Sequence, residues 1–123
     1  MILVDTNIII DFLEGNQKAT EFFKSLNLSD VLLSVITEAE LLSGKQCKEE
    51  RVREEIQHLL SRFLIINVDE RIAQTAADYR RNYGVPLLDS LIAATAHHNQ
   101  ATVFTRNTKD FRKIKEVKTI TPY

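Results

Sequence analysis

Tryptophan is absent, cysteine occurs once, and only three glycines and two prolines interrupt the 123 residues. A lone cysteine, Cys47, excludes a disulfide framework and a thiolate metal centre. So few chain breakers exclude a loop-rich chain and leave a helix-rich globule, one domain over residues 1–123, large enough to bury a core without staples. No window is long and apolar enough to span a bilayer, and no basic leader precedes the first apolar run. The expected location is the cytoplasm, with no membrane segment. A strong overall charge is also missing: the formal net charge is −1. Its distribution is uneven, however. Residues 1–44 carry seven acids against Lys18 and Lys24, whereas residues 101–123 carry six bases against Asp110 and Glu116. An acidic half and a basic end suit a cation-loaded site beside a surface that meets a polyanion.

What is present begins at Met1–Asn7, MILVDTN. Ile2, Leu3 and Val4 form an apolar run without alternation, as in a strand covered on both faces by helices. It stops at Asp5-Thr6-Asn7. An acid at the carboxyl end of a central parallel strand lies where open α/β sheets bind ligands, although Asp5 also reads as a plain helix cap.

The remainder alternates. Helices are expected over Asn7–Gly15 and Asn16–Leu26, a buried strand over Val31–Ser34, and a helix from Thr37 to Gly44. A charged helix covers Lys45–Ser61, with Glu49 and Arg53 as a surface pair at i, i+4. Phe63–Val68 reads as a strand. A helix capped by Asp69 carries Ile72, Ala76, Tyr79 and Tyr83 on its core stripe and stops at Gly84. Then follow a helix Leu87–His98, a strand Thr102–Thr105, a short helix Thr108–Ile114 and a last strand near Thr119–Ile120. This pattern is a doubly wound α/β domain with a mostly parallel sheet.

Three further acids are placed to reach the edge where Asp5 sits. Glu40 lies three residues after Thr37, which reads either as a capping box or as an acid reaching over the sheet end. Asp89 opens a helix that is apolar nearly all round, VPLLDSLIAATA. Burial of a carboxylate there is costly unless it is paired, hydrogen-bonded or metal-bound. After the fourth strand, Asn107 or Asp110 is positioned to complete the cluster. Converging carboxylates repel and take up protons. Divalent cations remove that conflict, and an oxygen-only ligand set selects Mg²⁺ or Mn²⁺. Such ions serve phosphoryl chemistry. The basic end, Arg106, Lys109, Arg112 and Lys113, matches phosphate in sign. His97 and His98 end a helix, where the dipole favours them without any chemistry.

Taken together, VDTN, TEAELLSG, YGVPLLDSLIAATA and FTRNTKDF resemble the PIN-domain ribonucleases, and among them the VapC-like toxins of type II toxin–antitoxin systems. The resemblance covers essentially the whole chain, in order. It implies a sheet of order 3-2-1-4-5, a Mg²⁺- or Mn²⁺-dependent endoribonuclease acting on RNA, and neutralisation by a cognate antitoxin. By position, Asp5, Glu40 and Asp89 match the family's acidic triad, and Thr6 and Thr105 its supporting hydroxyls. Where many members carry a fourth acid, this chain has Asn107, so a second metal site is weakened. With apolar residues early in the chain, Ile8–Phe12, Phe22 and Phe23, that exceed what a small core needs, the resemblance also implies a homodimer. The alternative is a non-catalytic RNA- or protein-binding PIN module. Such a module would have shed one of the three acids, and none is missing.

Overall fold

A computed structural model describes residues 1–123. Five short strands, β1 (Ile2–Val4), β2 (Val31–Ser34), β3 (Leu64–Ile66), β4 (Thr102–Phe104) and β5 (Thr119–Ile120), form one sheet of order β3-β2-β1-β4-β5. Every neighbouring pair is parallel, so the sheet is wholly rather than mostly parallel. Parallel strands need crossovers, and seven helices supply them: α1 (Thr6–Leu13), α2 (Gln17–Lys24), α3 (Val35–Leu42), α4 (Glu50–Leu60), α5 (Glu70–Tyr83), α6 (Leu87–His98) and α7 (Thr108–Phe111). No helix is long and apolar enough to cross a membrane.

The apolar β1 run divides between two cores, because successive side chains leave a strand on opposite faces. Leu3 joins Leu32 and Val103 under α5, α6 and α7, where Ile72, Ile92 and Phe111 are also buried. Val4 joins Val31 and Leu33 on the other face, with Ile8, Ile9 and Ile56. Both faces of the sheet are covered, which is why these strands show no polar alternation.

Several boundaries move from their expected places, each for a local reason. Helix α1 starts at Thr6, one residue early, because Asp5 itself accepts from the Thr6 N–H. Helix α3 starts at Val35, not Thr37: Ser34 caps it by accepting from the Ile36 N–H, so there is no capping box. The single helix expected over Lys45–Ser61 is a 3₁₀ turn, Lys45–Lys48, followed by α4. Arg53 does not pair with Glu49; its guanidinium donates to the Cys47 carbonyl and ties that turn to α4. The third strand is limited to Leu64–Ile66, and α7 ends at Phe111, which is fully buried. Tyr79 is buried as expected, whereas Tyr83 is only partly so and donates its hydroxyl to Glu116. Gly84 ends α5 in the left-handed region at φ 69°, as a glycine C-cap does.

Helix α6 is not buried all round. Ser90, Ile92, Ala93, Ala94 and Ala96 face the core, but Leu87 and Leu88 are about half exposed beside Asp89. His98 stays on the far end of that helix, bonded to the Thr75 hydroxyl at 2.7 Å, and takes no part in the acidic cluster.

Candidate active site

Helices α1 and α3 leave the sheet directly at the carboxyl ends of β1 and β2, and α7 follows β4 after a three-residue link. These exits set the side chains around one cavity of about 200 Å³ lined by Asp5, Thr6, Asn7, Glu40, Asp89 and Asn107, with Ile10 at its edge. The three expected acids therefore meet. Asp110 does not line the cavity but reaches it through Asn107.

Asp5 is buried, and its two oxygens are held separately. Oδ1 accepts from the Thr6 backbone at 2.8 Å and Oδ2 from the Thr105 hydroxyl at 2.7 Å. Burial pushes its carboxyl above the ordinary 3.8, those two hydrogen bonds pull it back, and the Glu40 charge adds to the rise. Thr105 is fully buried and saturated: its oxygen also receives the Asn107 N–H at 2.9 Å and the Asn7 amide at 3.3 Å.

Glu40 is fixed by a relay. The Thr6 hydroxyl donates to Glu40 Oε1 at 2.6 Å and lies 2.9 Å from the Thr37 hydroxyl. A threonine has one O–H to give, so Thr37 must be the donor to Thr6. Thr37, which the sequence suggested as a cap, is instead a buried link in a chain from α3 through α1 and back to α3.

Asp89 is half-buried and lacks a basic partner. Its Oδ2 accepts from the Asn107 side-chain amide at 3.3 Å, and the same nitrogen reaches Asp110 Oδ2 at 3.3 Å. Burial, and then the charges of Asp5, Asp110 and Glu40, push its carboxyl up to about 6. In this arrangement Asn107 meets the acids with its donor end. Its carbonyl becomes a ligand only after the amide rotates. No three acids close on one point by side chains alone. Asp89 thus carries a raised carboxyl among other acids with no base beside it.

The basic residues divide. Lys109, Arg112 and Lys113 lie on or just after α7, with Lys113 3.3 Å from Asp110 Oδ1. Arg106 is drawn the other way, onto Asp11 of α1 at 2.9 Å. Arg80 and Arg81 serve the end of their own helix, through the Gly84 carbonyl and Asp78. Sequence reasoning missed Asn7, whose amide bonds Thr105 and whose carbonyl accepts from the Arg106 N–H at 3.4 Å. Its place two residues after Asp5, one turn before Asp11 on the same helix, was the available signal.

A parallel sheet of order 3-2-1-4-5 with acids gathered over the ends of β1, β2 and the start of α6 defines a class of protein. The chain belongs to the PIN domain family, whose model matches residues 2–117. Within it the chain is similar to Toxin FitB of Neisseria gonorrhoeae, 36% identical over 90% of this chain and 91% of that protein. It is also similar to ribonuclease VapC10 of Mycobacterium tuberculosis, 35% identical over 96% of this chain and 91% of the relative. Among solved structures, a toxin–antitoxin complex from Klebsiella pneumoniae matches with a TM-score of 0.87 at 33% identity, covering 100% of this chain and 98% of that one. DNA-bound VapBC from Salmonella typhimurium matches at 0.86 and 26%, covering 100% of both.

Proposed function

We propose that the chain is a Mg²⁺- or Mn²⁺-dependent endoribonuclease, the toxin of a toxin–antitoxin pair. The observation that carries the chemistry is Asp5, Glu40 and Asp89 around one cavity with no base to neutralise Asp89. Asp5 and Asp89 would hold the ion, and Glu40 would act through water. The bound cation supplies Lewis-acid neutralisation of phosphate charge. Thr105 and the Thr6 N–H fix the Asp5 carboxylate, and Thr37 through Thr6 fixes Glu40, so neither acid must reorganise when the strand arrives. Asn107 keeps Asp89 and Asp110 at one spacing. The bases at and after α7 hold the RNA backbone by charge.

The antitoxin reading is supported by the surface beside the site. A cavity of about 600 Å³ runs from Glu40 past Ile10, Leu13, Val52 and Ile56, with Glu14 and Glu55 at its margin. Apolar walls with acids at the rim fit an amphipathic segment bearing an arginine or lysine, which would compete with the metal. Of the early apolar residues, Ile8 and Ile9 are core and Phe22 and Phe23 pack against it, so the homodimer reading rests instead on the exposed Ile10, Leu13, Leu87 and Leu88. Light scattering at micromolar concentration gives twice the monomer mass on that reading, and a stable monomer refutes it.

The decisive test is cleavage of labelled RNA by the purified chain. Cutting with Mg²⁺ that stops with chelator and is lost in Asp5→Asn is expected. Binding without cutting under every divalent ion would instead make it a non-catalytic module.

A further inference from the structure

Arg106 leads away from the acids into a second, separate cavity. Its backbone N–H is held by Asn7, which lines the acidic cavity, while its side chain lines the second. The second cavity, about 360 Å³, is lined by Asn16, Gln17, Lys18, Arg106 and Tyr123. Asn16 turns its carbonyl to the Ala19 N–H and Gln17 its amide to Glu21, so the two cations, Lys18 and Arg106, are what the cavity offers to an anion. The arginine is not loose. Asp11 Oδ2 accepts both from the guanidinium at 2.9 Å and from the Tyr123 hydroxyl at 2.6 Å. The guanidinium carbon sits 5.6 Å from the centre of the Tyr123 ring. Tyr123 itself packs on the core face that holds Val4, Ile8 and Ile9. Asp11 is mostly covered and Arg106 about half exposed, so the guanidinium is anchored on Asp11 and still keeps accessible surface beside the cavity it lines.

Resting on the nuclease reading, we infer that Arg106 and Lys18 bind a phosphate of the RNA strand flanking the one that is cut, and that Asp11 and Tyr123 are positioning residues for Arg106. The strand on this view crosses the acids and leaves over the start of α2. The bases of α7 alone would not direct it there. The phosphate held here is not the reacting one, so its loss should raise KM and leave kcat nearly unchanged.

The test measures anisotropy of a fluorescein-labelled uridine 12-mer in chelator, across a salt series, alongside cleavage kinetics with Mg²⁺. Lys18→Gln and Arg106→Gln should each weaken binding about three- to tenfold. Each should also flatten the slope of log affinity against log salt by about 0.7, the value for one single-strand phosphate. Lys118→Gln, at the amino edge of the sheet, should change neither quantity. Asp11→Asn gives the sharpest result, because the two explanations differ in sign. Removal of an acid near RNA tightens binding if charge alone matters; loss of the arginine's anchor weakens it. Weakening in Asp11→Asn, a smaller weakening in Tyr123→Phe and partial rescue by Arg106→Lys over Arg106→Gln are expected. A wild-type chain that neither binds nor cuts RNA overturns the nuclease reading together with the subsite. A wild type that cuts, with Lys18→Gln and Arg106→Gln unchanged in affinity and slope, or Asp11→Asn tighter, overturns the subsite alone.

Discussion

Removing the charge of Asp89 should stabilise the metal-free protein and abolish its activity. Its carboxyl stands at about 6 against an ordinary 3.8, through burial first and the neighbouring acids second. Between those two pH values the folded state binds more protons than the unfolded one, so stability falls as pH rises through the window and stays low above it. Undiminished, that gap corresponds to about 3 kcal/mol; Asp89 is half exposed, and solvent screening reduces it to about 1 kcal/mol. Asp89→Asn removes the charge but keeps an oxygen for the Asn107 amide. In chelator at pH 7.5, the variant should therefore melt about 3–6 °C above wild type. The difference should shrink through pH 6 to 4 and vanish below about 3.8, where wild-type Asp89 is neutral in the folded and the unfolded state alike. Millimolar Mn²⁺ should raise the wild-type melting temperature and leave the variant's almost fixed. Scanning calorimetry with and without chelator measures all of this. A variant less stable than wild type at pH 7.5, or a difference independent of pH, would refute the account of Asp89 as a carboxylate held at a cost among other acids.

Asn107→Asp adds a fourth carboxylate beside Asp89 and Asp110. It should tighten Mn²⁺ binding in a calorimetric titration while lowering metal-free stability by about 1 kcal/mol. Thr6→Val removes the donor to Glu40 and leaves the buried Thr37 hydroxyl without its acceptor. A loss of about 1–3 kcal/mol by urea denaturation and a lower kcat are expected, whereas unchanged kcat would show that Glu40 needs no relay. Gly84→Ala meets no atom within 4 Å but must hold φ 69°, so about 1 kcal/mol of stability should be lost from backbone strain alone, with cleavage untouched.

The order of strands and helices was readable because hydrophobic runs of three or four residues alternate with helical stripes. That alternation forces crossovers that set Asp5, Glu40 and Asp89 at one edge. The caps were less readable. Ser34 and Thr37 are both good N-cap residues, and only the end of β2 decides for Ser34. Once Ser34 takes that role, Thr37 lies inside the helix and turns to Thr6, 31 residues away in sequence. Partnerships of that range leave no periodic trace. The extreme case is Tyr123 with Asp11, 112 residues apart, which makes Arg106 a side chain anchored on α1 instead of a member of the α7 basic group. Composition placed Arg106 with its neighbours in sequence; packing separates it from them.

Asp5 shows why a capping reading and a chemical one need not compete. A carboxylate offers about four lone-pair positions on two oxygens. The Thr6 N–H takes one on Oδ1 and the Thr105 hydroxyl one on Oδ2, which leaves about two facing the cavity. The cap fixes the carboxylate plane relative to α1, and the threonine fixes it relative to β4. A carboxylate held from two elements cannot swing away when its charge is opposed by Glu40, although burial and that charge both favour its protonation. At Asp5 the hydrogen bonds oppose the rise that burial causes, whereas at Asp89 burial and the neighbouring acids all act in the same direction. Asp5 is thus fixed in place by hydrogen bonds, while Asp89, at about 6, carries a proton part of the time near that pH, which a bound cation would displace. Metal binding at this edge should therefore release protons, mainly from Asp89, when measured near pH 6.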